Sequence, residues 1–500
     1  MRIMYNIVKL REVFPETTVC KDNEIVNLFK TVKIESFLRD WILKRKAGPD
    51  GKIHDIEELS RYIASVIPHR NDKERLEEEA RSEGTTKPFL SKINIAFNSN
   101  TGEHCFEIPD LGFTYSTTII EDYVWDRIKD DLLDEAGGWG LIKIGYRPPE
   151  PNRRNGKFTL NEYKRFRPYE VNLEAFCEAR AKYSDTEEWM NILLGAIDYD
   201  GDQFRSPEMT EEDAWLAKHT MLTRLLPFVQ PRLNLMELAP QQTGKSYIFG
   251  KIGKYGCLVG GKVSRTRMFL DQRAGAKSKG LVTYCDFIAI DELKSFKFTD
   301  DKEMSGHLKN YMEQGYVNIN GTKVEGDAGI IFLGNIDVND MKPGMDMFKD
   351  LPDVFRDSAL IQRIHGFVPG RYIHPIDPKM IIDGWALNTE YFSEIMHLMR
   401  STAETMRYRS YVDKLVTVYS NGEISNREKE AVFNLCTAYL KLFFPHVNDE
   451  LINDYNFKVD FQKYCLSPAI NMQSTVLQQL KIINPNEFKN KNMATYAIRE

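Results

Sequence analysis

One short stretch combines the residue types that bind phosphate. Residues 233–246 read LNLMELAPQQTGKS, an apolar run the length of a buried strand, then a loop, and a helix is expected to follow. Backbone N–H groups around Gly244 would face phosphates, Lys245 would add positive charge, and the Ser246 hydroxyl would ligate Mg²⁺. The pattern predicts a phosphate-binding loop for ATP with Mg²⁺. A coincidental Gly-Lys-Ser loop remains the alternative, because short motifs also occur by chance.

A second buried strand ends in two acidic residues. The apolar run at 287–290 leads directly into Asp291 and Glu292. Such a strand would deliver Asp291 to the Mg²⁺ shell and place Glu292 to orient and deprotonate an attacking water. The plainer alternative is a strand that ends in an acidic turn, and the phosphate loop earlier in the chain argues against it.

Three later features could also carry chemistry. Asn335 ends the apolar run 329–335 and could bind water or a γ-phosphate, although a turn role is the default for an isolated asparagine. Arg363 ends a helical stretch, where an arginine ordinarily just favours the helix dipole. Asn320-Gly321 lies between two alternating runs and predicts a β-hairpin with a type I′ turn, which carries Lys323.

The segment 147–169 mixes cations with aromatic rings, a combination suited to phosphates and stacked bases. It is rich in proline and asparagine, which indicates a loop or linker, and the competing interpretation is a solvated linker whose rings pin it to a domain surface. The candidate DNA-binding residues in it are Arg153, Arg154, Lys157, Lys164, Arg165 and Arg167.

Composition places the chain among soluble globular proteins. Its 500 residues are 42% hydrophobic and 28% charged, and the net charge of −6 leaves room only for a local basic surface. Seven scattered cysteines without CxxC spacing suit a reducing compartment and give no zinc pattern. Without a membrane-length apolar run or signal peptide, we expect a cytoplasmic protein with no membrane partner.

Hydrophobic periodicity divides the chain into segments. We expect an α/β fold built around a P-loop NTPase core, preceded by a helical segment and a small α+β module, and followed by a helical lid. The expected boundaries are a helical domain (1–90), an α+β module with the basic linker (91–170), the ATPase core (171–375), the lid (376–484) and a polar, poorly ordered tail (485–500).

In order and spacing the chain resembles the AAA+ ATPases, and among them the BrxL proteins of bacterial BREX phage-defence systems. The likeness runs from Val13 to about Lys441. It is densest in the phosphate loop and in DFIAIDEL, IIFLGNID and DSALIQRIHGFVPG. The resemblance implies an ATP- and Mg²⁺-dependent hydrolase that forms a hexameric ring, acts on double-stranded DNA and works with other phage-defence components.

The resemblance also implies site roles. Gly244, Lys245 and Ser246 match Walker A, and Asp291 and Glu292 match Walker B. Asn335 matches sensor 1, Arg363 the finger arginine that reaches a neighbour's nucleotide, and Arg427 sensor 2. The hairpin with Lys323 occupies the position of a pore-facing hairpin that grips DNA.

The chain departs from the family pattern at several positions. Ala239 and Gln242 replace glycines of the phosphate loop, which is expected to lower the affinity for nucleotide. Gln362 replaces an aspartate before the finger arginine. Too few residues follow Arg427 for the family's Lon-protease-like domain, so we expect no proteolysis. Two other functions remain open, a protein unfoldase partnered with a separate protease, favoured by Tyr316, and an ATP-gated DNA scaffold with little turnover.

Overall fold

The computed structural model describes residues 6–31, 34–98, 101–133, 137–149, 151, 155–205, 209–271, 276–419 and 425–499. The first part is helical with one short strand: α1 (Ile7–Val13), β1 (Thr18–Lys21), α2 (Asn23–Thr31), α3 (Ser36–Lys46), α4 (Ile56–Val66) and α5 (Lys73–Ser82). Helix α4 begins where the Asp55 side chain accepts a hydrogen bond from the Glu58 backbone, and it buries Leu59 and Ile63 one turn apart. The sequence analysis did not predict β1.

A mostly antiparallel sheet follows, with one helix: β2 (Phe89–Asn98), β3 (Glu103–Glu107), β4 (Thr118–Ile119), α6 (Asp122–Leu133), β5 (Gly137–Arg147) and β6 (Lys157–Arg165). Strand β5 pairs with both β2 and β6. The structure differs here from the linker interpretation, because 157–165 form β6. The reason is that Phe158, Leu160 and Tyr163 are buried in the core of this sheet with residues of α5 and α6, Leu160 and Tyr163 lying on either side of a register shift against β5.

Four helices lead to the central α/β core: α7 (Leu173–Ala181), α8 (Thr186–Ala196), α9 (Glu211–Thr223) and α10 (Leu226–Val229). The core contains β7 (Leu235–Ala239), α11 (Lys245–Tyr247), β8 (Gly256–Val259), β9 (Lys262–Val263), α12 (Arg265–Met268), β10 (Leu270–Asp271), β11 (Ala276–Lys279), β12 (Phe287–Ile290), β13 (Lys297–Phe298), α13 (Asp301–Gln314), β14 (Tyr316–Ile319), β15 (Thr322–Glu325), β16 (Gly329–Asn335), α14 (Ser358–Ile361) and β17 (Gly366–Phe367). A π-helix at Ile248–Ile252 continues α11.

The core sheet is five-stranded and parallel, in the order β17-β7-β16-β12-β8. Strands β7, β12 and β16 are buried on both faces. Leu235 and Ile331 contribute to one apolar cluster, and Met236 and Ile330 contribute to another. Parallel strands bring their carboxyl ends to one edge, where ligands bind in open α/β sheets. The predicted α/β core is therefore present, and its ligand edge follows β7, β12 and β16.

Two antiparallel pairs extend from this core. Strands β14 and β15 form the predicted hairpin, and both residues of its turn, Asn320 and Gly321, have positive φ (48° and 79°), as a type I′ turn requires. Strand β11 pairs with β10 and also with β2, so a core insertion joins the antiparallel sheet.

The remaining elements are β18 (Gly384–Leu387), α15 (Thr389–Leu398), α16 (Thr402–Leu415), β19 (Val416–Tyr419), α17 (Asn426–Phe443), α18 (Tyr455–Phe461), α19 (Ser467–Ile483), α20 (Pro485–Phe488) and β20 (Thr495–Ile498). Strand β18 pairs with β1, which ties the amino-terminal segment to this region. The tail is ordered rather than disordered, because β20 pairs with β19 and buried Tyr496 donates its hydroxyl to Glu428 (3.0 Å). Within the described residues, no helix has the length and apolar character needed to cross a membrane.

Candidate nucleotide site

The phosphate loop lies at the ligand edge, between β7 and α11. Gly244 caps α11 in the left-handed conformation (φ 79°). A Cβ atom built there would lie 2.5 Å from the Tyr199 hydroxyl, so glycine is required both by the backbone and by the space. The backbone N–H groups beyond it begin a helix, which favours an anion at this point.

Lys245 folds back onto the loop. Its Nζ donates hydrogen bonds to the carbonyl oxygens of Ala239 (3.1 Å) and Pro240 (2.7 Å). Burial lowers the pKa of Lys245 to about 8, since removal from water disfavours the charged form. Phosphate oxygens would offer this ammonium group stronger, charged acceptors than the loop carbonyls.

The acidic strand contacts the phosphate loop through Asp291. Ser246 Oγ donates a hydrogen bond to Asp291 Oδ2 at 2.6 Å, and Asp291 Oδ1 accepts from the Glu292 backbone N–H at 2.8 Å. Mg²⁺ is typically held by one or two protein oxygens, together with phosphates and waters. The adjacent Ser246 and Asp291 oxygens fit that requirement.

Glu292 and Asn335 have side chains that are available at this edge. Glu292 is exposed and adopts a positive φ of 57°, a conformation that non-glycine residues hold at a cost and that clusters at functional sites. Asn335 ends β16 beside Ala239 of β7. Neither side chain makes a hydrogen bond to the described part of the chain, so both can bind water or ligand.

The two departures in the loop have different consequences. Ala239 is the last residue of β7 and has the extended backbone of a strand, so alanine causes no strain there. Gln242 holds a positive φ of 61°, which costs an L-residue roughly 1–2 kcal/mol. Its carbonyl accepts a hydrogen bond from the Ile376 backbone N–H (2.8 Å), which helps fix this conformation.

A buried ion pair stabilises the phosphate loop. Arg224 donates to Glu237 through Nε (3.0 Å) and Nη2 (2.5 Å), and its Nη1 donates to the Thr243 carbonyl (2.6 Å). All three residues are buried, so Arg224 connects strand β7 to the loop without contact with water. Sequence analysis missed this support. The available signal was Glu237, a carboxylate within an apolar strand that needs a buried partner.

An apolar cavity of about 310 Å³ opens beside Gly244 and Gln242. Its size and lining suit a flat ring system, and it adjoins the loop where the phosphates would lie. Sequence analysis did not identify this pocket, because its walls come from distant segments. They include Val26, Tyr199, Tyr247, Ile376, Ile381 and Ile382.

Buried charges join the amino-terminal segment to the floor of this pocket. Asp198 accepts hydrogen bonds from Lys21 Nζ (2.8 Å), Arg39 Nη1 (3.0 Å) and the Tyr247 hydroxyl (2.5 Å). Burial alone would raise the pKa of Asp198, but the two cations outweigh it and hold that pKa below its usual value. The first helices are therefore fixed to the nucleotide side of the core.

Arg363 and Arg427 lie at the other edge of the core sheet. The Arg363 carbonyl accepts from Asn234 Nδ2 (3.3 Å), and Asn234 immediately precedes β7. Both arginines bind Glu313 of α13, Arg363 through Nε (2.8 Å) and Arg427 through Nη2 (2.8 Å). The phosphate loop follows the opposite end of β7, about 13 Å away along five residues. The structure thus brings these two arginines together, away from Lys245 of the same chain.

The predicted DNA-binding residues do not converge on one groove. Lys157 begins β6 and forms an ion pair with Glu103 (3.0 Å), whereas Lys164 and Arg165 end β6, about 25 Å away by strand length. Lys164 is exposed, and Arg165 and Arg167 line a polar cavity of about 580 Å³.

The hairpin candidate, Lys323, forms an ion pair with Glu325 and lies 4.4 Å from the centre of the Tyr316 ring. Arg153 and Arg154 lie outside the described residues.

Comparison with known proteins places these features in a family. Residues 158–494 match a family described as Lon-like protease BrxL-like, ATPase domain, and residues 12–146 match the BREX system Lon protease-like protein BrxL N-terminal family. A protein named Lon-like protease BrxL from Escherichia coli O9:H4 (strain HS) is 25% identical over 442 residues. One of the same name from Bacillus cereus (strain H3081.97) is 26% identical over 499 residues. The alignments cover 88% and 97% of this chain but 59% and 68% of those proteins.

Proposed function

The chain belongs to the BrxL family of Lon-like ATPases, and from that premise we propose that it is a ring-forming ATPase that hydrolyses ATP with Mg²⁺ and acts on double-stranded DNA in phage defence. The observation that carries the nucleotide chemistry is the 2.6 Å hydrogen bond between Ser246 and Asp291. It joins the phosphate loop to the acidic strand at the point where a metal-bound phosphate would lie. The reaction proposed for residues 1–500 is ATP hydrolysis, not proteolysis.

Each residue of this site has a separate role in the proposed hydrolysis. Lys245 exchanges the loop carbonyls for β- and γ-phosphate oxygens, and Ser246 and Asp291 would hold Mg²⁺, which would neutralise phosphate charge. Glu292, exposed and beside Asp291, accepts the proton of the attacking water. Asn335 donates a hydrogen bond to that water or to the γ-phosphate.

We assign the apolar cavity beside Gly244 to the adenine base. Tyr199 and Tyr247 supply aromatic surface, and Ile376, Ile381 and Val26 supply aliphatic walls. Apolar pockets with few polar groups are typical of small-molecule sites. Val26 belongs to α2, so base binding involves the amino-terminal segment as well as the core.

The position of Arg363 supports assembly into a ring. It lies at the far edge of the sheet from Lys245, so it can complete only the nucleotide site of another copy. Repeated head-to-tail contacts of this kind close into a ring when the rotation permits, and we propose a hexamer. Hydrolysis then depends on assembly, because a finger arginine supplied in trans stabilises charge in the transition state. The carboxy-terminal helices act as the lid of this unit.

The proposed DNA contacts are the cations of β6 and the β14–β15 hairpin. Lys164 and Lys323 have exposed side chains, and Tyr316 adds a ring next to Lys323. Lys157 is the weakest candidate, because Glu103 already neutralises it. We further propose cytoplasmic location and cooperation with other defence components.

The test is the ATPase rate of purified protein with and without duplex DNA at two salt concentrations. Contacts with several phosphates release counterions, so stimulation by DNA should fall steeply as salt rises. Lys245→Ala controls for contaminating ATPases. A rate indifferent to DNA would refute the DNA part of the proposal and favour an unfoldase, whose hairpin would grip polypeptide through Tyr316. No rate at all in the wild-type chain would refute the hydrolase itself.

A further inference from the structure

One carboxylate binds two arginines at the edge of the core sheet that faces away from the phosphate loop. Glu313 Oε2 lies 2.8 Å from Arg363 Nε, and Glu313 Oε1 lies 2.9 Å from Arg427 Nε. Arg427 Nη2 also donates to both carboxylate oxygens at 2.8 Å. Because the planar guanidinium of Arg427 is bound side-on through two nitrogens, its orientation is fixed as well as its position.

Each arginine has one further restraint. Arg363 Nη1 donates to the Ala359 carbonyl, and Arg427 Nη1 donates to Gln362 Oε1 at 3.3 Å. Arg363 is mostly buried, with 16% of its side chain exposed, whereas 48% of the Arg427 side chain is exposed. Gln362 therefore takes part in the cluster as a neutral acceptor.

The carboxylate is what allows the two cations to lie together. Two guanidinium groups that share one site repel each other, and Glu313 supplies the only carboxylate that contacts both among the described residues. Glu313 itself is anchored in the last turn of α13, whose end is tied to the amino end of β7 because Asn234 Nδ2 donates to the Met312 carbonyl (3.4 Å). The pair is thus attached to a rigid element.

We propose that Glu313 is a positioning residue for ATP hydrolysis, which holds Arg363 and Arg427 side by side so that both face the nucleotide of the neighbouring subunit. This inference rests on the proposed ring ATPase. Glu313 acts through the arginines and does not touch ATP. Sequence analysis gave no signal for it, because a glutamate near the end of a helix is ordinary and its partners lie 50 and 114 residues away.

The experiment compares Glu313→Gln, which keeps the shape of the side chain but removes its charge, with Glu313→Asp, which keeps the charge. Misplacing a reacting group by about 1 Å can cost up to about a hundredfold in rate. We expect kcat to fall about ten- to a hundredfold in Glu313→Gln, with the KM for ATP changed less than about twofold. Glu313→Asp should retain more turnover than Glu313→Gln.

The matched control is Glu303→Gln on the same helix. Glu303 also forms an ion pair with an arginine, Arg265 (2.5 Å), and it lies about 15 Å from Glu313 along the helix axis. The turnover of Glu303→Gln should equal that of the wild type. Ring assembly and melting temperature, measured on every variant, verify that each one folds.

A second background separates positioning from a general structural role. If Glu313 acts through Arg363 and Arg427, then Glu313→Gln should cause little further loss in a chain that carries both Arg363→Ala and Arg427→Ala. Wild-type kcat in Glu313→Gln, or an equal loss in both backgrounds, would overturn this inference. A wild-type chain without turnover, or Arg363→Ala with full turnover, would instead overturn the proposed function, so the two failures are distinguishable.

Discussion

If Arg363 serves the neighbour's nucleotide, two inactive variants should restore activity when they assemble together. Lys245→Ala removes the phosphate contact but keeps Arg363, and Arg363→Ala keeps the phosphate loop intact. The structure supports this division, because Lys245 lies in the loop after the carboxyl end of β7, whereas Arg363 contacts Asn234 at the amino end of that strand, which is about 13 Å long. Arg363 is also held at its own end by Glu313 (2.8 Å).

The expected recovery follows from counting interfaces. In a random equimolar ring, a complete site needs an Arg363→Ala subunit on the loop side and a Lys245→Ala subunit on the finger side, which occurs at about one quarter of interfaces. Each variant alone should retain less than about one thousandth of the wild-type rate, because a finger arginine contributes about 10³–10⁵ in kcat. The mixture should therefore reach about one quarter of the wild-type rate if sites act independently.

The assay is steady-state ATP hydrolysis after co-assembly of the two purified variants. A matched control mixes Lys245→Ala with Glu292→Gln. Both of these residues serve the same subunit's site, since Ser246 next to Lys245 contacts Asp291 next to Glu292 (2.6 Å), so that mixture should not recover. If the first mixture stays as inactive as its components while mixed rings form, the trans role of Arg363 is wrong.

Two other predictions concern residues on the loop side. Glu292→Gln should bind ATP normally but hydrolyse it about 10²–10⁴-fold more slowly, because only the proton acceptor is lost; equal rates in single-turnover assays of variant and wild type would contradict this. Burial lowers the pKa of Lys245 to about 8, and phosphate favours its charged form, so ATP binding should take up a proton above that pH. Affinity measured by calorimetry should be constant below pH 8 and weaken up to about tenfold per pH unit above it, whereas a flat profile to pH 9.5 would show that the lysine stays charged.

Local sequence predicted the elements whose signal lies within a few residues. The phosphate loop and the acidic strand were recognisable because each needs a particular residue order on one strand and its following turn. The Asn320-Gly321 hairpin was recognisable because its turn requires two residues that tolerate positive φ. In these cases the residue order that defines the motif also fixes the local backbone geometry.

The basic segment shows where local reasoning failed. Prolines and asparagines at 148–156 indicated a linker, yet 157–165 form β6, because pairing with β5 and burial of Phe158, Leu160 and Tyr163 outweigh the turn residues before it. The tail failed in the same way. Its polar composition predicted disorder, but β20 gains hydrogen bonds from β19, which lies far earlier in the chain.

By itself, then, the sequence identified the candidate residues of the loop side, Lys245 and Asp291 included, because those residues are fixed by motifs of a few positions. Only the tertiary structure decided which groups surround them. The apolar cavity beside the loop takes Val26 from α2, the loop packs on the Arg224–Glu237 pair, and Arg363 lies at the opposite edge of the sheet. The physical reason is that these contacts join residues far apart in the chain, and their partners are chosen by packing and burial rather than by spacing.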